Sequence, residues 1–122
     1  MNTAEVGERL VKLCKEGRNS EAIEQLYADD IVSVEAAAAG PLPRRMEGKE
    51  QIRGKNEWWE ANNEVHSAEV AGPFLHGDDR FAAIFDFDVT RKDTGERSRM
   101  KEVAIYTVDG GKITQEEFYY TM

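Results

Sequence analysis

The last third of the chain, from Phe81 to Met122, alternates apolar and polar residues and is divided by two turn signals, Asp93-Thr94-Gly95-Glu96 and Asp109-Gly110-Gly111. Period-two alternation between glycine-containing turns is typical of β-hairpins, so this segment predicts three consecutive antiparallel strands. Carboxylates recur at positions that such a sheet buries, and a buried carboxylate is unfavourable unless it is paired or used chemically. The segment therefore constrains both the fold and the location of a site.

Size and charge narrow the class of protein. A chain of 122 residues can bury one hydrophobic core, so we predict a single domain over residues 1–122. The net charge of −8 and the lack of a basic stripe argue against a nucleic-acid surface. Cys14 is the only cysteine, which rules out an internal disulfide and a cysteine-rich zinc site. No apolar run approaches the roughly 20 residues of a membrane span, and no signal pattern is present, so a cytoplasmic location without membrane contact is expected.

The first half of the chain predicts three helices. Thr3 is predicted to cap the first helix, which Gly17 ends. Asn19 or Ser20 is predicted to cap the second, which ends at Asp29-Asp30, and the third spans about residues 49–62. A short strand, Ile31 to Glu35, follows the second helix, and residues 36–45 predict a loop at the rim of a cavity. Strands follow from Val65 onward. This order predicts an α+β fold with helices on one face of a curved antiparallel sheet.

The first hairpin loop decides which side chains of the sheet face the helices. A two-residue loop at Thr94-Gly95 places Asp88 opposite Lys101 and Phe87 opposite Glu102. Glu102 then lies on an aromatic-rich face, which makes it a candidate interior acid.

The second hairpin leaves two registers open, one residue apart. A three-residue loop over Asp109-Gly110-Gly111 turns Glu116 inward, whereas a two-residue loop turns Glu117 inward, and we favour Glu116. The opposite face is too apolar for a freely wetted surface, which predicts a homodimer through the outer sheet face; its apolar residues are Val103, Ile105, Thr107 and Ile113.

Three motifs give the chain a family resemblance. They are Leu26-Tyr27-Ala28-Asp29-Asp30, Glu47-Gly48-Lys49-Glu50-Gln51-Ile52, and Asp109-Gly110-Gly111-Lys112-Ile113 before Phe118-Tyr119-Tyr120. Over nearly its whole length the chain resembles SnoaL-like proteins of the nuclear transport factor 2-like (NTF2-like) superfamily. The resemblance implies an NTF2-like or cystatin-like roll, in which a cone-shaped curved antiparallel sheet wraps around three N-terminal helices and a pocket, usually in a dimer.

This superfamily includes ketosteroid isomerases, limonene epoxide hydrolases, dehydratases, polyketide cyclases and binding modules, so the site must decide the function. Aligned at Ala28-Asp29-Asp30, Glu35 matches the proton-abstracting aspartate of ketosteroid isomerase. Leu10 and Ala104 stand where that enzyme has its oxyanion-hole tyrosine and neutral aspartic acid, so steroid isomerisation in that form is not expected. Glu102, one pleat away on the same face, is a candidate displaced acid.

Four residues are therefore candidates for catalysis. Glu35 is the candidate base, while His66, Glu102 and Glu116 are candidates for shuttling protons or fixing orientation. A solvated carboxylate at a strand end and a satisfied histidine at a pocket edge are the alternative interpretations. Six aromatic residues are predicted to form the substrate-binding walls: Trp58, Trp59, Phe87, Tyr106, Phe118 and Tyr120. For the two tryptophans, structural packing is the alternative interpretation.

Two functional hypotheses follow. The first is an acid–base lyase, isomerase, cyclase or hydrolase acting on an apolar, oxygen-bearing small molecule. The second is a non-catalytic protein of the same fold, which binds a small ligand or serves as a dimeric association domain. No cofactor is expected, and no metal site is expected because His66 and the glutamates lack a recognisable ligand spacing. The sequence leaves open whether the chain is an enzyme.

Overall fold

The computed structural model describes residues 1–121, so Met122, the last residue of the predicted domain, lies outside the described residues. Across residues 1–121 the chain forms three helices and six strands. The helices are α1 (Thr3–Lys15), α2 (Asn19–Leu26) and α3 (Lys49–Asn62). The strands are β1 (Tyr27–Val34), β2 (Arg45–Glu47), β3 (Asn63–His76), β4 (Arg80–Arg91), β5 (Arg97–Asp109) and β6 (Lys112–Tyr119).

The strands form one sheet in the order β2-β1-β6-β5-β4-β3. The sheet is curved and unclosed, and the predicted α+β fold is confirmed. Neighbouring strands are antiparallel except β1 and β6, which run parallel. This parallel pair joins the first strand of the chain to the last described one. No helix of the described chain is long and apolar enough to span a membrane.

The helix boundaries differ slightly from the prediction. Asn2, rather than Thr3, caps α1, because its side chain accepts a hydrogen bond from the Glu5 N–H and the Glu5 carboxylate accepts one from the Asn2 N–H. Arg18 occupies the N-cap of α2. This helix ends at Leu26 because Tyr27 is already extended and begins β1, so the predicted helix end at Asp29-Asp30 is wrong.

The β4–β5 hairpin is displaced by two residues from the predicted register. The Arg91 N–H donates to the Glu96 carbonyl over 2.9 Å, and the Gly95 N–H donates to the Arg91 carbonyl over 2.8 Å, so the loop is longer than Thr94-Gly95 alone. Glu102 consequently lies opposite Phe85 instead of Phe87. A two-residue shift keeps every side chain on its face, so Glu102 still points inward.

The β5–β6 hairpin has the two-residue loop, Gly110-Gly111, with φ of 59° and 78°. That loop alone would turn Glu117 inward. A bulge between the pairs of Val108 and Thr107 moves the register by one residue, which restores Glu116 to the inner face opposite Tyr106. Before the bulge Ile113 pairs with Val108 and is fully buried, so its predicted place on the outer face is wrong.

The hydrophobic core lies between α1, α2 and the inner face of the sheet. Leu10 and Leu13 of α1, Leu26 at the end of α2, and Phe81 of β4 are buried in one cluster. Ser33 and Glu116 are the buried polar residues of the described chain, and they lie side by side on β1 and β6. A polar pair inside a core needs hydrogen-bonding partners, so it marks the position of a polar site.

Replacing Gly54 by alanine should raise the free energy of unfolding by about 0.5–1 kcal/mol, because alanine restricts the unfolded chain and favours the helix. Gly54 lies on the exposed side of α3, and an added methyl group meets no described atom within 4 Å. Urea denaturation followed by circular dichroism measures the change.

Gly111→Ala is the control of opposite sign. Its φ is +78° and its methyl group would lie 2.9 Å from the Met1 carbonyl oxygen, so it should destabilise by about 1–2 kcal/mol. If both variants shifted the midpoint in the same direction, the local conformations described for α3 and the last turn would be contradicted.

Candidate functional site

A cavity of about 580 Å³ lies between α3, the segment after β1 and the inner face of the sheet. Its inner end includes the buried residues Leu10, Ile52 and Glu116, while its outer end includes the exposed Gly40 and Arg91. The six aromatic residues predicted as walls all line it: Trp58, Trp59, Phe87, Tyr106, Phe118 and Tyr120. The cavity therefore runs from a polar floor to the surface between aromatic side chains.

The two tryptophans lie at different depths of the wall. Trp59 packs against Phe87 with ring centroids 5.6 Å apart. The ring of Trp58 lies against Gly40 so closely that an added Cβ would stand 2.6 Å from a ring carbon. Trp59 thus belongs to the wall beside the sheet, and Trp58 lies where the loop after β1 covers the cavity.

A lysine that the sequence analysis did not select stands at the floor of the cavity. The Lys55 ammonium donates to Ser33 Oγ over 2.6 Å, to Glu35 Oε1 over 3.0 Å and to Glu116 Oε1 over 3.3 Å. It also lies 4.7 Å from the centroid of the Phe118 ring. Only 12% of the Lys55 side chain is exposed, so these contacts are made largely out of water.

Glu116 is the most enclosed group of this cluster, with 1% of its surface exposed. It accepts hydrogen bonds from the Tyr27 hydroxyl, from Ser33 Oγ over 2.8 Å and from Lys55. Adjacent strands create the arrangement, since Ser33 of β1 is directly opposite Glu116 of β6. Each of its oxygens therefore has a protein donor, and the carboxylate is paired rather than stranded.

The charges around the floor favour an ionised lysine and an un-ionised phenol. Burial lowers the pKa of Lys55, but the Glu116 and Glu35 carboxylates outweigh it, so the pKa is raised. Burial, together with the Glu116 charge, raises the pKa of Tyr27 well above its ordinary value. Lys55 thus remains an ammonium, and Tyr27 remains a hydrogen-bond donor.

Glu35 directly follows β1 and lines the cavity. One carboxylate oxygen faces Lys55, and the other accepts a hydrogen bond from the Tyr120 hydroxyl over 3.3 Å. Burial and the Glu35 charge raise the pKa of Tyr120 to about 12, so this phenol stays protonated at neutral pH. With 21% of its side chain exposed, Glu35 is within reach of a molecule in the cavity.

Glu102 lines the same cavity in a different environment. Within residues 1–121 no group donates a hydrogen bond to its carboxyl. Burial raises its pKa to about 7; the charges of Glu35 and Glu116 act in the same direction, and Lys55 opposes them. Glu102 therefore exchanges its proton near neutral pH, as a general acid or base requires.

His66 does not reach the cavity, so its predicted contact with the pocket glutamates is wrong. Its Nε2 lies 2.7 Å from Thr90 Oγ1, on the exposed side of the sheet. The cause is a bulge in β3, where Val65 pairs with Val89 but Ser67 pairs with Asp88. His66 is the extra residue of that bulge, and its parity with Ala68 is lost.

Sequence reasoning missed three members of the floor, Lys55, Ser33 and Tyr27. A signal for Lys55 was present, because it lies on the same helical stripe as Ile52 and Trp59, at spacings of three and four residues. Ser33 shares the strand parity of Glu35. Tyr27 was assigned to the helix that actually ends before it. Among the described residues, no group of three or more His, Cys, Asp or Glu side chains is arranged to hold a metal ion.

Comparison with known proteins identifies the family of this chain. The family model of the SnoaL-like domain matches residues 1–120. The chain belongs to the SnoaL-like family. No curated protein matches this SnoaL-like chain.

Solved structures agree with this assignment. A protein from Mesorhizobium loti, provisionally described as a SnoaL-like polyketide cyclase [carbohydrate phosphatase], is 50% identical with a TM-score of 0.91, and the match covers 98% of this chain and 100% of that one. A protein from Bacillus subtilis, provisionally described as an isomerase, is 20% identical with a TM-score of 0.79, and the match covers 99% of this chain and 90% of that one. A Catenulispora acidiphila protein of ketosteroid isomerase-like fold, in complex with trimethylamine, is 23% identical (TM-score 0.75, covering 98% and 88%). These last two likenesses show the fold.

Replacing Glu102 by glutamine should make the stability of this SnoaL-like chain less dependent on pH. Because the folded-state pKa is raised from 4.5 to about 7, the stabilisation from this group is complete below the lower value and is lost as the pH rises through the higher one. Glu102→Gln has no ionisable group at position 102. Its free energy of unfolding should therefore exceed that of the wild type by about 1–2 kcal/mol at about pH 8, and should not exceed it at about pH 4.

Thermal and urea unfolding at several pH values measure this difference. Glu69→Gln, the same change at an exposed position of β3, is the matched control and should leave the pH dependence unaltered. If Glu102→Gln changed the free energy of unfolding equally at both ends of the pH range, the environment described for the Glu102 carboxyl would be contradicted.

Proposed function

We propose that this protein is an acid–base enzyme of the isomerase or cyclase type, which moves a proton within an apolar small molecule that carries a carbonyl oxygen. The observation that carries the proposal is the pair of unlike carboxyl groups on one cavity. Glu35 is ion-paired with Lys55, whereas the pKa of Glu102 is raised to about 7 mainly by burial. Two carboxyl groups in contrasting environments suit the roles of base and acid.

In this mechanism the Glu35 carboxylate removes a proton from the carbon next to the carbonyl group. Protonated Glu102 donates its hydrogen to the carbonyl oxygen, so that the electron pair of the broken C–H bond is held in an enol. Return of the proton from Glu35 to a different carbon, with reprotonation of Glu102 from the enol, gives an isomer. If the enol carbon instead attacks a second carbonyl of the same molecule, a ring closes: the enol returns its O–H proton to Glu102, and the oxygen of the attacked carbonyl takes the proton held by Glu35 to become a hydroxyl group.

Glu116 takes a different role in this proposal from the catalytic one that the sequence suggested. Its oxygens already accept hydrogen bonds from Tyr27, Ser33 and Lys55. We therefore assign Glu116 to the support of the site, and His66 to neither the site nor its support.

The charges of the cavity favour an uncharged substrate. Of the described residues that line it, the cationic ones are Lys55 and Arg91; Lys55 bonds three acceptors and Arg91 is paired with Asp93 over 3.1 Å. An anion would meet the Glu35 and Glu116 carboxylates without a cation to receive it. This supports a ketone more than a phosphate ester, so the phosphatase half of the name given to the Mesorhizobium loti protein finds little support in this cavity.

Non-catalytic binding of a small molecule is the second candidate. The fully bonded network of Lys55, Ser33, Tyr27 and Glu116 favours it, because such a network fixes the shape of a floor without any exchange of protons. The trimethylamine bound to the Catenulispora acidiphila protein is consistent with ligand binding in this fold.

An enolisable bicyclic aromatic ketone, 2-tetralone, is a suitable probe. In deuterium oxide the wild type should speed exchange of its α-protons, and Glu35→Gln should lower that rate by about a hundredfold or more, because the base is lost. Exchange should fall as the pH rises through about 7, and Glu102→Gln should remove that dependence. Proton NMR follows the exchange directly.

Glu47→Gln, at an exposed glutamate outside the cavity, is the matched control and should exchange as the wild type does. Exchange by Glu35→Gln at the wild-type rate would remove Glu35 from the mechanism. Binding of the ketone, seen as line broadening, with no acceleration of exchange would favour the second candidate.

We also propose a cytoplasmic homodimer that forms through the outer sheet face. Val103 and Tyr119 are exposed there, at 36% and 53%, and Ile105 lies beside them. Sedimentation at micromolar concentration should give the mass of a dimer, and Val103→Glu should give that of a monomer. A wild type that sediments only as a monomer would reject the dimer.

A further inference from the structure

The hydrogen bonds of Lys55 leave it no donor for a substrate. An ammonium group has three N–H donors, and here three acceptors, Ser33, Glu35 and Glu116, lie 2.6–3.3 Å from the nitrogen. A ligand oxygen would have to displace one of them. The charge therefore acts on other protein groups.

The two carboxylates that share Lys55 are held to very different extents. Glu116 is also bonded by Tyr27 and Ser33 and is almost wholly buried, so it anchors the ammonium to β1 and β6. The Glu35 carboxylate accepts one further hydrogen bond in the described structure, from the Tyr120 hydroxyl over 3.3 Å. Lys55 is consequently the main restraint on the orientation of Glu35, and α3 sets where that restraint stands.

Lys55 also balances the charges that act on Glu102. The titratable side chains that interact with Glu102 are Glu35 just after β1, Lys55 of α3, Tyr106 of β5, Glu116 of β6 and Tyr120 just beyond it. Within that described set Lys55 is the cation, and it acts against the two carboxylates. Loss of its charge would leave the acids repelling one another in a sheltered cavity.

We propose that Lys55 is a positioning residue: anchored by Glu116 and Ser33, it fixes the carboxylate of Glu35 and sets the charge balance around Glu102 without touching the substrate. The role of Lys55 in catalysis rests on the proposed function, whereas its effect on the carboxyl groups of Glu35 and Glu102 does not. The same lysine explains why the floor tolerates several acidic groups.

Titration of the glutamate carboxyl carbons by ¹³C NMR tests the proposal without any substrate. In Lys55→Met the pKa of Glu102 should rise above its wild-type value of about 7, because the ammonium that lowers it is gone. Lys55→Arg keeps the charge and should stay near the wild type. Lys101→Met is the matched control, since Lys101 precedes Glu102 but lies on the exposed face, and it should produce a much smaller change.

The double variant Lys55→Met with Glu116→Gln removes one charge of each sign. It avoids an unpaired buried carboxylate, so it covers the case in which Lys55→Met alone does not fold. Its Glu102 pKa should return to near the wild-type value. The proposal would be overturned if the Glu102 pKa were the same in Lys55→Met as in the wild type. It would also be overturned if the Glu102 pKa were the same in the double variant as in Glu116→Gln.

Kinetics with 2-tetralone separate positioning from binding. Lys55→Met should lower kcat by about ten- to a hundredfold with KM within about twofold of the wild type, since the base is misplaced while the substrate contacts remain. A KM that rises in proportion to the loss of kcat/KM would mean that Lys55 binds the substrate, and would overturn the proposal. Absence of any wild-type turnover would reject the proposed function and leave the NMR result to decide the role of Lys55.

Discussion

The ammonium of Lys55, enclosed between Glu116, Glu35 and Ser33, is the interaction on which the rest of the site depends. Charges removed from water are costly unless every donor and acceptor is matched, and breaking such a cluster costs more than forming it gains. Here Tyr27 donates to Oε2 of Glu116, which Lys55 leaves free, and Ser33 donates to Oε1, which it shares with Lys55. Because these groups come from β1, α3 and β6, their pairing fixes the helix against the parallel strand pair. The cavity thereby has a rigid polar floor beneath apolar walls.

Three glutamates of identical chemistry differ in this cavity only through their surroundings. Glu116 is surrounded by donors, Glu35 is held from one side, and Glu102 stands among aromatic side chains with burial as the largest influence on its pKa. For Glu102, burial and the nearby carboxylates stabilise the proton on the carboxyl group. A SnoaL-like fold can thus place chemically identical carboxyl groups in unlike environments within one cavity. The family membership alone would not distinguish them.

Sequence reasoning predicted the architecture well and the register poorly, for one physical reason. Side-chain direction in a strand has a period of two, so the two-residue error in the β4–β5 hairpin left Glu102 inside. A bulge adds one residue and reverses direction, and bulges carry no clear local signal: one in β3 turned His66 out, and one in β6 turned Glu116 in despite the shorter loop. Lys55 was overlooked because lysine is usually an exposed residue. Its helical spacing from Ile52 and Trp59 nevertheless indicated that its side chain faces the interior. The partners that stabilise it there are distant in sequence.

The parallel pairing of β1 with β6 has a consequence for when the floor of the cavity can assemble. Glu116 belongs to the last strand of the described chain, whereas its partners Ser33 and Tyr27 lie in the first. Until that closing strand docks, Lys55 lacks its buried carboxylate partner Glu116 and the floor is incomplete, whatever the helices have done. During synthesis on a ribosome, this floor would thus stay unassembled until β6 has emerged. A product that ends before β6 would lack the Glu116 carboxylate and could not hold Lys55 in the place described here.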